Sequence, residues 1–97
     1  MKPSTDRCIS HERLSSSGTA DVKTATLPKG TSHIGLAVET TNARVTFDGT
    51  DPSATSAPSL VYLAAQVPVF IPLGQGTTVK FCSTAAAVSI LQLAYYS

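Results

Sequence analysis

The chain contains no tryptophan, and charge is scarce: only 13% of residues are Asp, Glu, Lys or Arg, about half the usual globular share. That scarcity excludes a phosphate-binding surface, which needs clustered Lys and Arg. The seven basic residues, Lys2, Arg7, Arg13, Lys23, Lys29, Arg44 and Lys80, are scattered. Four of them fall in the first 23 residues, interleaved with Asp6, Glu12 and Asp21, and the net charge is +1. Nucleic acid is therefore not an expected partner. Long apolar runs are also missing. The longest, Val67–Leu73, is interrupted by Pro68 and Pro72 and is far too short to span a bilayer, so no membrane partner is expected. The opening stretch MKPSTDRCISHERLSSSG has no apolar h-region, which reads as a chain without a secretory signal. There are two cysteines, Cys8 and Cys82. A disulfide framework in so small a chain would show more of them, and the expectation is two free thiols in a reducing cytoplasm.

What the chain has is Ser and Thr, 25 of 97 residues, with 12 alanines. Such side chains suit β surfaces, turns and close packing between subunits. One domain of this size buries only about 60–65% of the surface its unfolded chain exposes, so partner subunits would supply welcome burial.

Residues 1–18 are polar and aperiodic and end in Ser15-Ser16-Ser17-Gly18, which predicts an extended N-terminal arm. Ile9 and Leu14 would be its anchors on a neighbour. From residue 19 to 97 the pattern predicts one β-domain. Val22, Thr24 and Thr26 alternate as in an edge strand, and Leu27-Pro28-Lys29-Gly30 reads as a turn. Ile34, Leu36 and Val38 share one face of a strand, as do Ala43, Val45 and Phe47 in the next. Only Thr41-Asn42 is needed to link these two runs, which predicts a β-hairpin. Leu60–Leu63 is a short apolar run. Val67, Val69 and Ile71 alternate with Pro68, Phe70 and Pro72. Two prolines at alternate positions fit an edge strand. Leu73-Gly74-Gln75-Gly76 reads as a turn. Thr78–Cys82 follows with Val79 and Phe81 inward, Ala85–Ala87 is a link of small residues, and Val88–Tyr96 is the last strand. No helical periodicity of 10–12 residues occurs. Six or seven antiparallel strands are predicted, in a β-sandwich or a jelly-roll-like barrel.

The residues that could carry chemistry are few. Asp48 and Asp51 flank Gly49-Thr50 ahead of Pro52, but calcium loops need a denser ladder of oxygens. An Asp-Gly turn followed by an Asx turn at Asp51 accounts better for this stretch, so Asp48, Gly49, Asp51 and Pro52 are assigned to a structural corner. Cys8-Ile9-Ser10-His11 has a C-x-x-H look, yet His33 and Cys82 lie in separate predicted strands, short of a four-ligand zinc site. No glycine-rich loop leads from a strand into a helix. The expectation is a non-enzyme with no metal and no cofactor. Tyr95 and Tyr96 are candidates for contact area, since aromatic residues are enriched at interfaces, and Phe70 joins them.

The stretch Arg44-Val45-Thr46-Phe47-Asp48-Gly49-Thr50-Asp51-Pro52-Ser53-Ala54, with the strand through Val79–Phe81 and a final strand ending in tyrosines, resembles a group of small virion structural proteins of tailed bacteriophages. The likeness runs from about Ile34 to Tyr96 and leaves residues 1–18 outside. Many of those proteins carry a glycine a few residues past the proline, where this chain has Ser56-Ala57-Pro58. The resemblance implies a β-rich virion subunit made in the host bacterial cytoplasm. A capsid decoration or cement protein bound to the major capsid protein comes first, as a homo-oligomer with a trimer as its form. A neck or tail component, in the head–tail connection or a tail fibre, comes second. A carbohydrate-binding β-sandwich is the alternative from another class.

Overall fold

A computed structural model describes residues 7–53, 59–65, 67–74 and 77–97. All regular structure among them is β. The strands are β1 (Cys8–Ser16), β2 (Lys23–Thr24), β3 (His33–Glu39), β4 (Ala43–Thr46), β5 (Leu60–Tyr62), β6 (Val69–Pro72), β7 (Lys80–Ser83) and β8 (Ser89–Tyr96). They form two four-stranded sheets, ordered β1-β8-β3-β6 and β2-β7-β4-β5. Every strand pairing is antiparallel. The architecture is sandwich-like, with eight strands where the sequence predicts six or seven.

The additional strand is β1. The boundary drawn after residue 18 does not hold from Cys8 onward. β1 is hydrogen-bonded along β8 from Cys8 opposite Tyr96 to Ser16 opposite Ser89, with a bulge between Cys8 and Ser10. Its inward positions are Glu12, Leu14 and Ser16, two of them polar. Hydrophobic periodicity cannot report a strand whose buried side is satisfied by hydrogen bonds. Ser16 is fully buried. Its Oγ accepts from the Ser83 amide at 3.1 Å and lies 2.6 Å from the Asp21 carbonyl, to which it can donate. The strand thus ties the first sheet to β7 of the second. Residues 1–6 of the predicted arm lie outside the described residues.

The predicted hairpin is also absent. β3 lies between β8 and β6 in the first sheet, whereas β4 lies between β7 and β5 in the second. A two-residue hairpin loop favours Gly, Asn or Asp where φ is positive. Here Thr40 takes φ 76°, and the Thr41 amide donates to the Glu39 carbonyl at 2.9 Å. The link carries the chain across the sandwich, and the apolar faces of the two runs meet through the core.

That core is made of Ile34, Leu36 and Val38 from β3 and Leu91, Leu93 and Tyr95 from β8. From the second sheet come Ala43, Val45 and Phe81, with Val79 and Ala25 beside them. Burying each large apolar side chain contributes about 1.5–3 kcal/mol. In β8 burial alternates without exception. Among the described residues no buried side-chain polar atom lacks a partner. Neither cysteine is in a disulfide: Cys8 is exposed and Cys82 is buried. The turn at Gln75-Gly76 and the loop at 54–58, with the Ser56-Ala57-Pro58 departure, lie outside the described residues.

Candidate functional site

The acidic corner is built from two successive Asx turns. The Thr50 amide donates to Asp48 Oδ1 at 3.0 Å. The Ser53 amide and hydroxyl both donate to Asp51 Oδ1, at 2.9 and 2.7 Å. Gly49 takes φ 84°, a region that only glycine enters without steric cost. Thr46 Oγ1 donates to the Thr50 carbonyl at 2.6 Å, and Pro52 is fully buried. Hydrogen bonds from Thr50 hold the Asp48 carboxyl below the ordinary aspartate range, and bonds from Ser53 do the same for Asp51. Both carboxylates are committed to their own loop, and among the described residues no three His, Cys, Asp or Glu side chains gather. The stretch directs the chain out of β4 and engages one oxygen of each carboxylate within the loop.

The outer face of the first sheet carries an exposed aromatic residue, Phe70, beside a shallow groove. β3, β8 and β1 turn one residue in two outward, and their registers line these residues up in rows. Gly35 pairs with Phe70 on one side and with Ala94 on the other, and Ala94 pairs with His11. The next row places Pro72, His33, Tyr96 and Cys8 side by side. Small residues therefore form a floor of Gly35, Ala37 and Ala94. Phe70, Tyr96, Pro68, His11 and Gln92 rise around it to enclose a shallow groove of about 280 Å³.

Gly35 explains why the aromatics lie where they do. A Cβ at that position would stand 3.2 Å from Phe70 Cε1 and 3.5 Å from Tyr96 Cε2. With no side chain there, both rings settle against the sheet and meet edge to face, 5.9 Å between centroids at 60°. Such a pair is worth about 0.5–1.5 kcal/mol beyond its area. Phe70 nonetheless remains 66% exposed. The ring is thus held against the sheet yet open to water.

The five residues expected at an interface divide. Phe70 and Tyr96 come together on this face. Ile9 is exposed but sits at the β1 bulge, away from the groove. Leu14 packs against the core, because it occupies the inward parity of β1. Tyr95 is 1% exposed, since it shares the face of Leu91 and Leu93. Its hydroxyl donates to Glu12 Oε1, and the same oxygen accepts from the Thr26 amide at 3.1 Å. Burial first, and then the Glu12 carboxylate, push the Tyr95 hydroxyl well above the ordinary tyrosine range. Leu14 and Tyr95 are thus structural, and Glu12 staples β1 to the segment after β2. The floor residues Gly35, Ala37 and Ala94 were not singled out in the sequence. The signal available was the glycine inside the alternating run His33–Glu39, which marks a place where another group approaches closely.

The C-x-x-H pair is brought together only as a pair. Cys8 Sγ lies 3.5 Å from His11 Nε2 on the exposed side of β1, while Cys82 is enclosed in β7. Compared with known proteins, the chain matches no family model, no curated protein and no solved structure.

Proposed function

We propose that this protein is a non-catalytic structural subunit of a tailed-phage particle, in the first place a decoration or cement subunit bound to the assembled capsid. The observation that carries this reading is the preformed groove on the first sheet, where Phe70 and Tyr96 stand over a floor of small residues with little charge around them. A face of this kind gains free energy by covering apolar area. The resemblance over Ile34–Tyr96 supplies the particle, and the scarcity of charge agrees with a life spent packed against neighbours. The mechanism is mass action. A subunit that binds only the closed shell stabilises it by about 2.7 kcal/mol per site when its free concentration is a hundred times Kd.

The test is the copy number in purified particles, by quantitative mass spectrometry against the major shell protein. A ratio near one to one, or a simple fraction such as one to three, supports decoration. A handful of copies per particle moves the protein to the neck or tail, and absence from particles overturns the virion reading.

The aromatic pair favours one further reading, a carbohydrate-binding module, because rings over a shallow groove can stack on a sugar face. Titration with oligosaccharides followed by NMR would shift Gly35, Ala94 and Tyr96 amides in that case. The Asp48–Asp51 corner is not part of that groove, so chelators should leave any such binding unchanged.

A further inference from the structure

One pair of reactive side chains meets on the outer face of the first sheet. Cys8 Sγ lies 3.5 Å from His11 Nε2 and 3.8 Å from the Ser10 carbonyl. On a regular strand, residues three apart project to opposite faces, so a C-x-x-H spacing should separate these two side chains. The bulge in β1 brings them together. Cys8 stands opposite Tyr96 and Ser10 opposite Tyr95, which leaves Ile9 as the extra residue, and His11 follows opposite Ala94. Tyr96 and Ala94 belong to the outward set of β8, and Tyr95 to the inward set. Cys8 and His11 are therefore neighbours on one face. Bulges re-aim side chains in this way.

Packing makes no use of the pair. Both residues are exposed, and neither belongs to the core. Cys82 is the contrast: it is buried, and burial pushes its thiol up. Cys8 has access to solvent and a base within hydrogen-bond reach, which is what a nucleophilic thiol needs. With its proton on Nδ1, His11 presents the Nε2 lone pair to the thiol. The surroundings do not oppose a thiolate. The rows that hold the pair, Pro72-His33-Tyr96-Cys8 and Phe70-Gly35-Ala94-His11, contain no acidic residue. Arg7 precedes Cys8, and Arg13 shares the outward side of β1. Glu12, the carboxylate next to His11 in sequence, is turned inward to the Tyr95 hydroxyl.

We propose that Cys8 is a modification site: a reactive thiol, with His11 as its proton acceptor, that forms mixed disulfides with small disulfides. The thiol proton passes to His11 Nε2, and the Cys8 sulfur attacks one sulfur of the incoming disulfide. A new sulfur–sulfur bond forms to Cys8, the original one breaks, and the departing thiolate takes the proton from His11. The incoming disulfide is reduced and Cys8 is oxidised, with no further reactant. His11 and Tyr96 both line the groove, so the group carried on Cys8 stands at its rim. This chemistry belongs to the isolated chain and does not depend on the virion reading.

The test treats the full chain with oxidised glutathione at neutral pH, quenches with acid, and follows intact mass and peptide maps. A single glutathione per folded chain is expected, on Cys8 and not on Cys82. The rate at Cys8 should exceed that of the same residue in the urea-unfolded chain by about tenfold. His11→Ala and His11→Gln, both at an exposed position, should each remove that advantage. At about pH 9.5, where a thiol ionises without help, the variants and the wild type should react alike. That convergence distinguishes a proton acceptor from a residue that only shapes β1. Equal rates in the folded and unfolded chain overturn the proposal. So do His11 variants that react as fast as the wild type at neutral pH, a gap that persists unchanged at the higher pH, or adducts on Cys82 of the folded chain in place of Cys8.

Discussion

β8 and β5 are both apolar strands of one small sandwich, and they are opposites in every other respect. β8 has eight residues, a neighbour on each side and unbroken in–out alternation. β5 has three residues, one neighbour among the described residues and exposure on both faces. The difference shows where this fold keeps its stability and where it leaves apolar surface uncovered. β8 is held by β1 and β3 and by the core, so it answers to packing. β5 and the Phe70–Tyr96 face hold apolar surface that folding alone does not bury.

The largest expected effect lies on the β8 side. Leu93→Ala should cost about 2–5 kcal/mol in denaturant unfolding, because Leu93 is buried among residues of both sheets. Leu60→Ala should cost far less in the monomer, and a loss as large as that of Leu93→Ala would erase the contrast. Next comes the staple at the end of the sandwich. Glu12→Ala removes the acceptor of the buried Tyr95 hydroxyl and should cost about 1–3 kcal/mol. Tyr95→Phe removes the hydroxyl itself and should cost less. Combining the two should recover part of the Glu12→Ala loss, measured as a double-mutant cycle.

Gly35→Val sharpens the comparison from the other direction. The added side chain meets the far end of Phe70, which is exposed and can swing away, so Tm should change little. The ring contact between Phe70 and Tyr96 should nevertheless disappear from NOE spectra, and binding through the groove should go with it. If Tm falls as far as for Leu93→Ala, the aromatic pair belongs to the fold and not to a recognition face.

The smallest effects are electrostatic. Asp21, Asp48 and Asp51 all have carboxyls held below the ordinary range, chiefly by hydrogen bonds from Ser17, Thr50 and Ser53. A lowered folded pKa contributes stability that is present above the unfolded value, near 3.8, and is lost as pH falls through the folded value. Tm should therefore be level from neutrality down to about pH 5 and decline below about pH 4. Replacing Asp48 and Asp51 together with Ala should flatten that acid decline. At the other end, the raised Tyr95 hydroxyl favours the fold up to the unfolded tyrosine value of about 10, and Tm should drop as pH rises beyond it. In Tyr95→Phe the alkaline drop should shrink.

Several elements were legible because their chemistry is local. The alternation of Leu91, Leu93 and Tyr95 gave β8, the prolines of Val67–Leu73 gave an edge strand, and Asp48-Gly49 with Asp51-Pro52 gave a corner. β1 was hidden because its inward side is Glu12 and Ser16, whose burial is satisfied by partners distant in the chain. The β3–β4 hairpin was misread because a strand's own pattern says which face is apolar and nothing about which strand lies beside it. Of the candidate face, Phe70 and Tyr96 stood out as aromatics. The floor of Gly35, Ala37 and Ala94 emerges only when β3 and β8 are set in register.

By itself, then, the sequence determined the class of structure, the inward residues of β3, β4 and β8 and the turn at the corner. These follow from period-two patterning and from backbone preferences acting over two to five residues. Only the tertiary structure decided which sheet each strand joins, that Cys8–Ser16 belongs to the domain, and which apolar residues stay uncovered. Those outcomes depend on pairings between residues far apart in the chain. The free energy of such pairings is set by geometry that no stretch of the chain carries alone.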